Sequence, residues 1–271
     1  MLDALVSPNG IPLQGFGTWP LSAAQARSAI LMALEVGFRH IDTAQLYGNE
    51  AEVGAAVAAS GLKRAEVFIT TKVKPDNLSR AQFLPSVRRS LEDLQTDRAD
   101  LLLIHWPPKQ DFEAMIALLA EAKAQGLAAR IGVSNFNLAM LQKAAALAPL
   151  VSLQVEFHAL IDQSRMKAAA DRLGLTVSAY TPLGRGAVMK DPAVQKVAAE
   201  TGKPASEVAL AWIFQQGVAA IPMTTKRANA DSNFRARTLV LSPAQMAALT
   251  AASRQNRRFV NPPGWGPDWD G

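Results

Sequence analysis

The chain reads as an α/β protein of the (β/α)8 TIM-barrel class, and three observations predict it. Short strand-like apolar runs recur at about the spacing of one strand–helix–strand unit, roughly 30 residues. Eight such runs alternate with helical stretches, which is the count of a TIM barrel. Successive runs also end in polar side chains. Asp42, Lys72 and His105 close three of them, 30 and 33 residues apart, so polar groups are expected together on one rim of a parallel sheet. A length of 271 residues suits one barrel. No linker or composition shift divides the chain, so residues 1–271 are expected to form a single domain.

The elements follow in order. Leu5 to Leu13 carries an Asn9-Gly10 turn signal and predicts a short hairpin on the barrel floor. Gly15-Phe16-Gly17-Thr18-Trp19 is the first strand. Ser22 caps a helix through Glu35 that Gly37 stops. The second strand runs from Gly37 to Asp42 and leads through a Gly-Asn loop holding Tyr47 into an Ala-rich helix, Ala51 to Ala59. Val67 to Thr71 is the third strand. Ser79 to Leu94 is helical, with apolar residues at Phe83, Val87, Leu91 and Leu94. Leu101 to Ile104 is the fourth strand, and the helix Phe112 to Ala124 ends at Gly126. Ala129 to Asn135, Val151 to Glu156, Thr176 to Tyr180 and Val218 to Pro222 complete the eight strands. Between them lie helical stretches at Leu138–Leu147, Ser164–Leu173, Pro192–Thr201 and Ser206–Gln216. The tail Asn261 to Trp269 is rich in Pro and Gly and is expected to be irregular, its tryptophans packing over a rim.

Bulk properties narrow the function classes. No apolar run approaches the roughly 18 residues of a membrane span. Met1-Leu2-Asp3-Ala4-Leu5-Val6 has an early acid and no basic leader, unlike a signal peptide. Zero cysteines exclude disulfides and thiolate chemistry, and the cytoplasm is the default location. The net charge of +5 is scattered, with small clusters at Lys226-Arg227 and Arg254/Arg257/Arg258. The chain has no long basic run with interleaved aromatics of the kind nucleic-acid binders use. A small anionic ligand accounts for the charge equally well.

The strand-end residues suggest acid–base chemistry. A phenol is a weak acid at neutral pH, and an adjacent ammonium favours its phenolate. Lys72 is the expected ammonium beside Tyr47, Asp42 its counter-ion, and His105 a hydrogen-bonding group for a carbonyl oxygen. That set suits general-acid reduction of a carbonyl by Tyr47 with hydride from a nicotinamide. Ser134, Asn135 and Gln154 are amide and hydroxyl groups at neighbouring strand ends, suited to a carboxamide, and Tyr180 is a candidate stacking platform. The loop Thr181-Pro182-Leu183-Gly184-Arg185-Gly186 offers backbone N–H groups to a pyrophosphate. Thr224, Thr225, Lys226 and Arg227 follow the last strand, where barrels commonly bind phosphate. No Gly-x-Gly-x-x-Gly is present, so a dinucleotide is expected across the barrel mouth and not on a Rossmann turn. Trp19, Leu46, Trp106 and Trp265 are candidate walls of a substrate cleft.

Each of these residues has a plainer reading alone. Asp42 could be a turn carboxylate, Tyr47 a packed loop aromatic, Lys72 a solvent-facing strand end and His105 a satisfied structural histidine. Arg185 and Arg235 read as surface or structural. The joint placement on successive strand ends favours catalysis.

The motifs that carry a family resemblance are Gly37 to Glu50, Leu102-Leu103-Ile104-His105-Trp106-Pro107, Gly132-Val133-Ser134-Asn135-Phe136 and Gln154-Val155-Glu156-Phe157-His158. Ala179 to Gly186 and Ile221-Pro222 through Asn233-Phe234 complete the set. Over nearly its full length the chain resembles the aldo-keto reductases. The resemblance implies a metal-free (β/α)8 barrel that reduces aldehydes and ketones with NADPH and returns NADP+, with Asp42, Tyr47, Lys72 and His105 as catalytic tetrad. It adds Thr18 and Asn233 to the cofactor contacts and implies that Trp19, Tyr47, His105 and Trp106 meet substrate. It also implies a monomer. The segment after Trp106, Thr224 to Asn229 and the Pro-Asp-Trp-Asp ending are most similar to bacterial members that reduce diketo-sugar acids, methylglyoxal and other small aldehydes.

Where many relatives carry Lys-Ser and a later Arg for the adenosine 2′-phosphate, this chain has Met223-Thr224 and Asn229. Lys226 and Arg227 are expected to substitute, since a phosphate needs nearby cations and hydroxyls. Position 159 is Ala where relatives often have Pro. Two other readings remain: a non-catalytic NADPH-sensing module, and a metal-dependent hydrolase using His40, Asp42, His105 and His158. Only three histidines exist, and His40 is expected on the other strand face or mid-strand, away from the rim.

Overall fold

The computed structural model describes residues 5–269, so the N-terminal reading of Met1 to Ala4 and the last residue of the Pro-Asp-Trp-Asp ending lie outside the described residues. Strands and helices alternate from β1 (Phe16–Gly17) and α1 (Ala23–Val36) through β2 (His40–Asp42), α2 (Glu50–Ala59), β3 (Phe68–Val73) and α3 (Phe83–Asp93). β4 (Leu101–Ile104), α4 (Phe112–Ala124), β5 (Ile131–Ser134), α5 (Leu138–Leu147), β6 (Ser152–Glu156) and α6 (Ser164–Arg172) follow. The chain then forms β7 (Thr176–Tyr180), α7 (Pro192–Thr201), α8 (Ala205–Phe214), β8 (Ala219–Ala220), α9 (Arg227–Arg235) and α10 (Pro243–Ala252).

The eight strands are parallel and ordered β1 to β8. Closure comes from the segment leading into β1: Gly15 N–H donates to Ala220 O, Ala220 N–H to Leu13 O, and Gly17 N–H to Pro222 O. The protein is a (β/α)8 TIM barrel. Its strands are buried on both faces because helices cover the outside and side chains fill the inside. At Gly132 a Cβ would lie 2.4 Å from Ser152 O, so only glycine lets β5 and β6 pack at this distance.

The helices face the barrel through their apolar stripes. In α3, Phe83, Val87 and Leu91 recur at the helical period and are buried. This helix begins at Phe83 and not at Ser79, because Ser79 to Gln82 form a turn in which Ser79 O accepts from Gln82 N and Phe83 N. α8 is buried along its length from Glu207 to Phe214, as a helix wedged between the barrel wall and outer helices must be. The helices α9 and α10, after the last strand, carry no strong apolar period and were not expected from the sequence. Gln245 N–H donates to Ser242 Oγ and Gln245 Oε1 accepts from Ser242 N–H, which starts α10.

The predicted floor hairpin forms. Val6 pairs antiparallel with Pro12, and Gly10 adopts φ +71° at its turn. Asn9 fixes it by donating to Val151 O, Gly174 O and Thr176 Oγ1. Ile11 then plugs the barrel bottom against Phe68, Leu101 and Leu103. The opposite rim is left to the strand ends that carry the polar groups. No helix among the described residues is long and apolar enough to cross a membrane.

Candidate active site

Asp42 ends β2, Lys72 lies near the end of β3, and His105 follows β4, so the pleat brings their side chains to one end of the barrel. Tyr47 reaches the same point from a single 3-10 turn, Gln45–Tyr47, that Gly48 closes at φ +63°. The Lys72 ammonium is 0% exposed and spends its donors on three acceptors. These are Asp42 Oδ1 at 2.5 Å, Thr43 O at 2.8 Å and the Tyr47 hydroxyl at 3.3 Å. His105 stands edge-on to Tyr47 with ring centroids 5.5 Å apart, and its Nδ1 is buried without a hydrogen-bond partner among the described residues.

The electrostatics follow from this packing. Burial pushes the Lys72 pKa down, but the Asp42 carboxylate and the Tyr47 hydroxyl outweigh it, so the lysine stays charged. Burial raises the Tyr47 pKa, and the Lys72 cation opposes that rise without overcoming it. Beside the Lys72 cation alone the phenol is expected to be more acidic than usual, but desolvation outweighs the cation and the phenol keeps its proton. Burial, then the Lys72 charge, hold His105 well below its ordinary value, so its imidazole is neutral.

Asp42 and Tyr47 line a cleft of about 1120 Å³, more than the roughly 300–1,000 Å³ of a usual single-ligand pocket, while Lys72 and His105 are buried and are not part of its lining. One end is walled by Trp19, Leu46, Trp106 and Trp265. Trp19 is 56% exposed with its ring 5.2 Å from Tyr47, and Trp265 of the tail lies 6.3 Å from Trp106. The cleft then passes Thr18, Tyr180, Thr181, Pro182, Leu183, Arg185 and Gly186 to reach Thr224, Asn229 and Asn233. Arg185, expected to be surface or structural, is exposed and also borders this cleft, at φ +52°. Gly184, beneath the same loop, is buried against Val188 and Phe259. A cleft lined by aromatic side chains, a glycine-containing loop and hydroxyl and amide groups fits a dinucleotide beside a small substrate.

Other predicted contacts stand differently. Ser134, Asn135 and Gln154 are buried and do not line the cleft. Asn135 Nδ2 donates to His105 O and Ser134 Oγ, while its Oδ1 accepts from the Tyr180 hydroxyl at 2.7 Å. Gln154 Nε2 donates to Asp42 Oδ2. Thr225, Lys226 and Arg227 are exposed, and Arg227 pairs with Glu35 and Asp231 instead of turning toward the cleft. Arg235 is structural, bonded to Glu207.

His40 lies on the same strand face as Asp42, one pleat repeat deeper, and not on the opposite face. It bonds Pro12 O and Thr70 Oγ1 toward the floor. His158 bonds Glu156. The histidines and Asp42 therefore do not assemble as a hydrolase centre would require.

Three contributors escaped the sequence reading. Asn49 precedes α2 and looks like its cap, yet its side chain caps nothing there. It donates to Thr18 O and Leu21 O and accepts from Thr43 Oγ1, tying the Trp19 loop to the Tyr47 loop. Gln45 holds the Tyr47 turn from behind, accepting from Lys74 N and Asn77 Nδ2 and donating to Ser90 Oγ. Glu50 buries its carboxylate against Thr71 Oγ1 and Ser90 Oγ. Adjacent polar residues in the stretch Gln45 to Glu50 were the available signal.

The comparisons with known proteins agree with this geometry. The model described as the aldo/keto reductase family matches residues 13–254. The chain is 40% identical over 266 residues to methylglyoxal reductase DkgB of Escherichia coli O157:H7, covering 96% of this chain and 99% of that protein. It is similar to the crystal structure of a candidate 2,5-diketo-D-gluconic acid reductase B, with TM-score 0.94 and 41% identity over 99% of this chain and 97% of the other. The aldose reductase of Schistosoma japonicum superposes with TM-score 0.88 at 29% identity, covering 96% of this chain and 94% of that one. With the family model matched over residues 13–254 and Asp42, Lys72 and Tyr47 in contact beside a neutral His105 at the mouth of a (β/α)8 barrel, this chain belongs to the aldo/keto reductase family.

Proposed function

We propose that the protein reduces small aldehydes and ketones to alcohols with NADPH, using Tyr47 as general acid. The observation that carries this reading is the contact of the Lys72 ammonium with both Asp42 and the Tyr47 hydroxyl. A nicotinamide, when bound, supplies the hydride. Tyr47 gives its proton to the carbonyl oxygen, and the phenolate left behind faces Lys72 3.3 Å away. Asp42 keeps that lysine charged and oriented. Neutral His105 hydrogen-bonds the carbonyl oxygen and turns it toward Tyr47. Trp19, Leu46, Trp106 and Trp265 exclude water from the reacting carbon.

The cofactor assignment rests on the same cleft. Tyr180 backs the nicotinamide, and the Thr181–Gly186 loop meets the pyrophosphate. Thr224, Asn229 and Asn233 border the adenosine end, with Thr225, Lys226 and Arg227 as exposed hydroxyl and cations within the same loop and helix start. Ser134, Asn135 and Gln154 act from behind this surface. Candidate substrates are methylglyoxal-like ketoaldehydes and diketo-sugar acids, the chemistry named for the relatives. The protein is proposed to work as a monomer in the cytoplasm.

A turnover panel tests the proposal. Purified protein should oxidise NADPH in the presence of methylglyoxal or a 2,5-diketo-sugar acid, with kcat/KM for NADPH at least about tenfold above that for NADH. Equal efficiencies would remove the 2′-phosphate assignment. Tight NADPH binding without turnover of any carbonyl would favour the sensing module.

A further inference from the structure

Two residues beyond Gln154 on the same strand, the mechanism above leaves a buried carboxylate unused. Glu156 is 0% exposed. Its Oε1 accepts from His158 Nε2 at 2.9 Å and from Phe259 N–H at 2.7 Å, and its Oε2 accepts from Val260 N–H at 2.9 Å. The two backbone donors belong to the segment after α10, about a hundred residues away in sequence. Fixing a chain end costs conformational entropy, and termini stay ordered only where something ties them down. Here the tie is a carboxylate, whose hydrogen bonds are about twice as strong as neutral ones.

The segment it holds forms part of the cleft. Phe259, Val260, Asn261 and Pro262 all line it. The Phe259 ring packs on His158 with centroids 5.3 Å apart. It also presses on the pyrophosphate-side loop, where a Cβ on Gly184 would lie 3.1 Å from the ring. Other bonds secure the approach, including Arg257 N–H to Leu160 O at 2.7 Å. Beyond the tie, Trp269 Nε1 donates to Asn261 Oδ1, and Trp265 reaches Trp106. Glu156 therefore sits where the strap passes from the barrel rim to the cleft wall.

We propose that Glu156 is a positioning residue that latches the C-terminal strap across the cleft, fixing Phe259 and Val260 so that both ligands are held. The functional half of this inference rests on the cleft holding NADP(H) and a carbonyl; the structural half does not. The hydrogen bonds that hold Asp42, Lys72 and Tyr47 together do not involve Glu156, so loss of the latch weakens binding more than chemistry.

The test compares wild type with Glu156→Gln, which keeps the size and removes the charge, and with Glu156→Asp, which keeps the charge and shortens the reach. Amide hydrogen exchange at Phe259 and Val260 should accelerate on the order of tenfold in both variants, with exchange in β6 unchanged. NADP+ binding, followed by tryptophan fluorescence, and KM for methylglyoxal should each weaken on the order of tenfold, with kcat within about threefold. Uniformly faster exchange through β6, or unchanged exchange at residues 259 and 260, would overturn the latch. So would a fall in kcat with both binding constants intact. If wild type itself neither binds NADP+ nor turns over, the proposed function fails, while the exchange result still decides the latch. If Glu156→Gln does not fold, Glu156→Asp and Phe259→Ala decide it: the first must loosen the two amides, the second must raise KM.

Discussion

Gln154 donates from Nε2 to Asp42 Oδ2 at 2.7 Å, joining opposite walls of the barrel over 112 residues of sequence. The other Asp42 oxygen faces Lys72 at 2.5 Å, so one carboxylate is held from two sides and its geometry toward the lysine is fixed. Gln154 thus supports the Asp42–Lys72 contact. Replacing it with Leu leaves Oδ2 buried without that donor, which costs about 1–3 kcal/mol. Gln154→Leu should lower Tm and reduce kcat on the order of tenfold; unchanged kcat would show that Asp42 needs no second anchor.

Removing the Asp42 charge is more severe. Asp42→Asn leaves the Lys72 ammonium, 0% exposed, without its counter-ion. Breaking a buried pair from one side costs about 3–5 kcal/mol. A clear fall in Tm and a loss of kcat on the order of a hundredfold are expected, measured by calorimetry and steady-state kinetics.

Tyr47→Phe removes the hydroxyl proposed as proton donor while keeping the ring that packs on Trp19 and His105. Turnover should fall by about 10²–10⁴, with NADP+ binding within about twofold of wild type. Retained turnover would dismiss Tyr47 as the acid.

The pH profile follows from the same burial. Tyr47 is raised above its ordinary value of 10.0, and His105 is held well below 6.5. The reductive kcat/KM should therefore be flat between these two ordinary values. A descending limb between pH 7 and 9 that disappears in Tyr47→Phe would contradict the assignment.

Glu50 gives a stability prediction. Burial raises its carboxyl to about 7 against an ordinary 4.5, with the Thr71 and Ser90 hydroxyls opposing the rise. Between those values the folded state holds a proton that the unfolded state has released, so the site loses stability as pH rises from 4.5 to 7. The loss is on the order of 3 kcal/mol. Glu50→Gln should gain Tm relative to wild type at pH 8 and lose that advantage at pH 5. His40 and His105, lowered by burial, slope the other way below 6.5, so the difference between the two proteins is the quantity to measure.

The sequence by itself determined the strand count, the barrel class and the four side chains, Asp42, Tyr47, Lys72 and His105, that meet at the barrel mouth. Strand periodicity and strand-end polarity are local, and each repeat of about 30 residues brings its end to the same rim. α4, α5 and α7 begin and end where the sequence placed them, because caps and glycines act within one turn. Only the tertiary structure decided how the polar groups share partners. Gln154 turned to Asp42, Arg227 to Glu35, Asn49 to Thr18 and Glu156 to the C-terminal strap. A buried polar group must be satisfied by whichever donor or acceptor the closed barrel brings within reach, and that partner is set by distance in space, which sequence separation does not record. The sign of the net shift at Tyr47 was likewise a matter of burial depth, which only the closed mouth of the barrel defines.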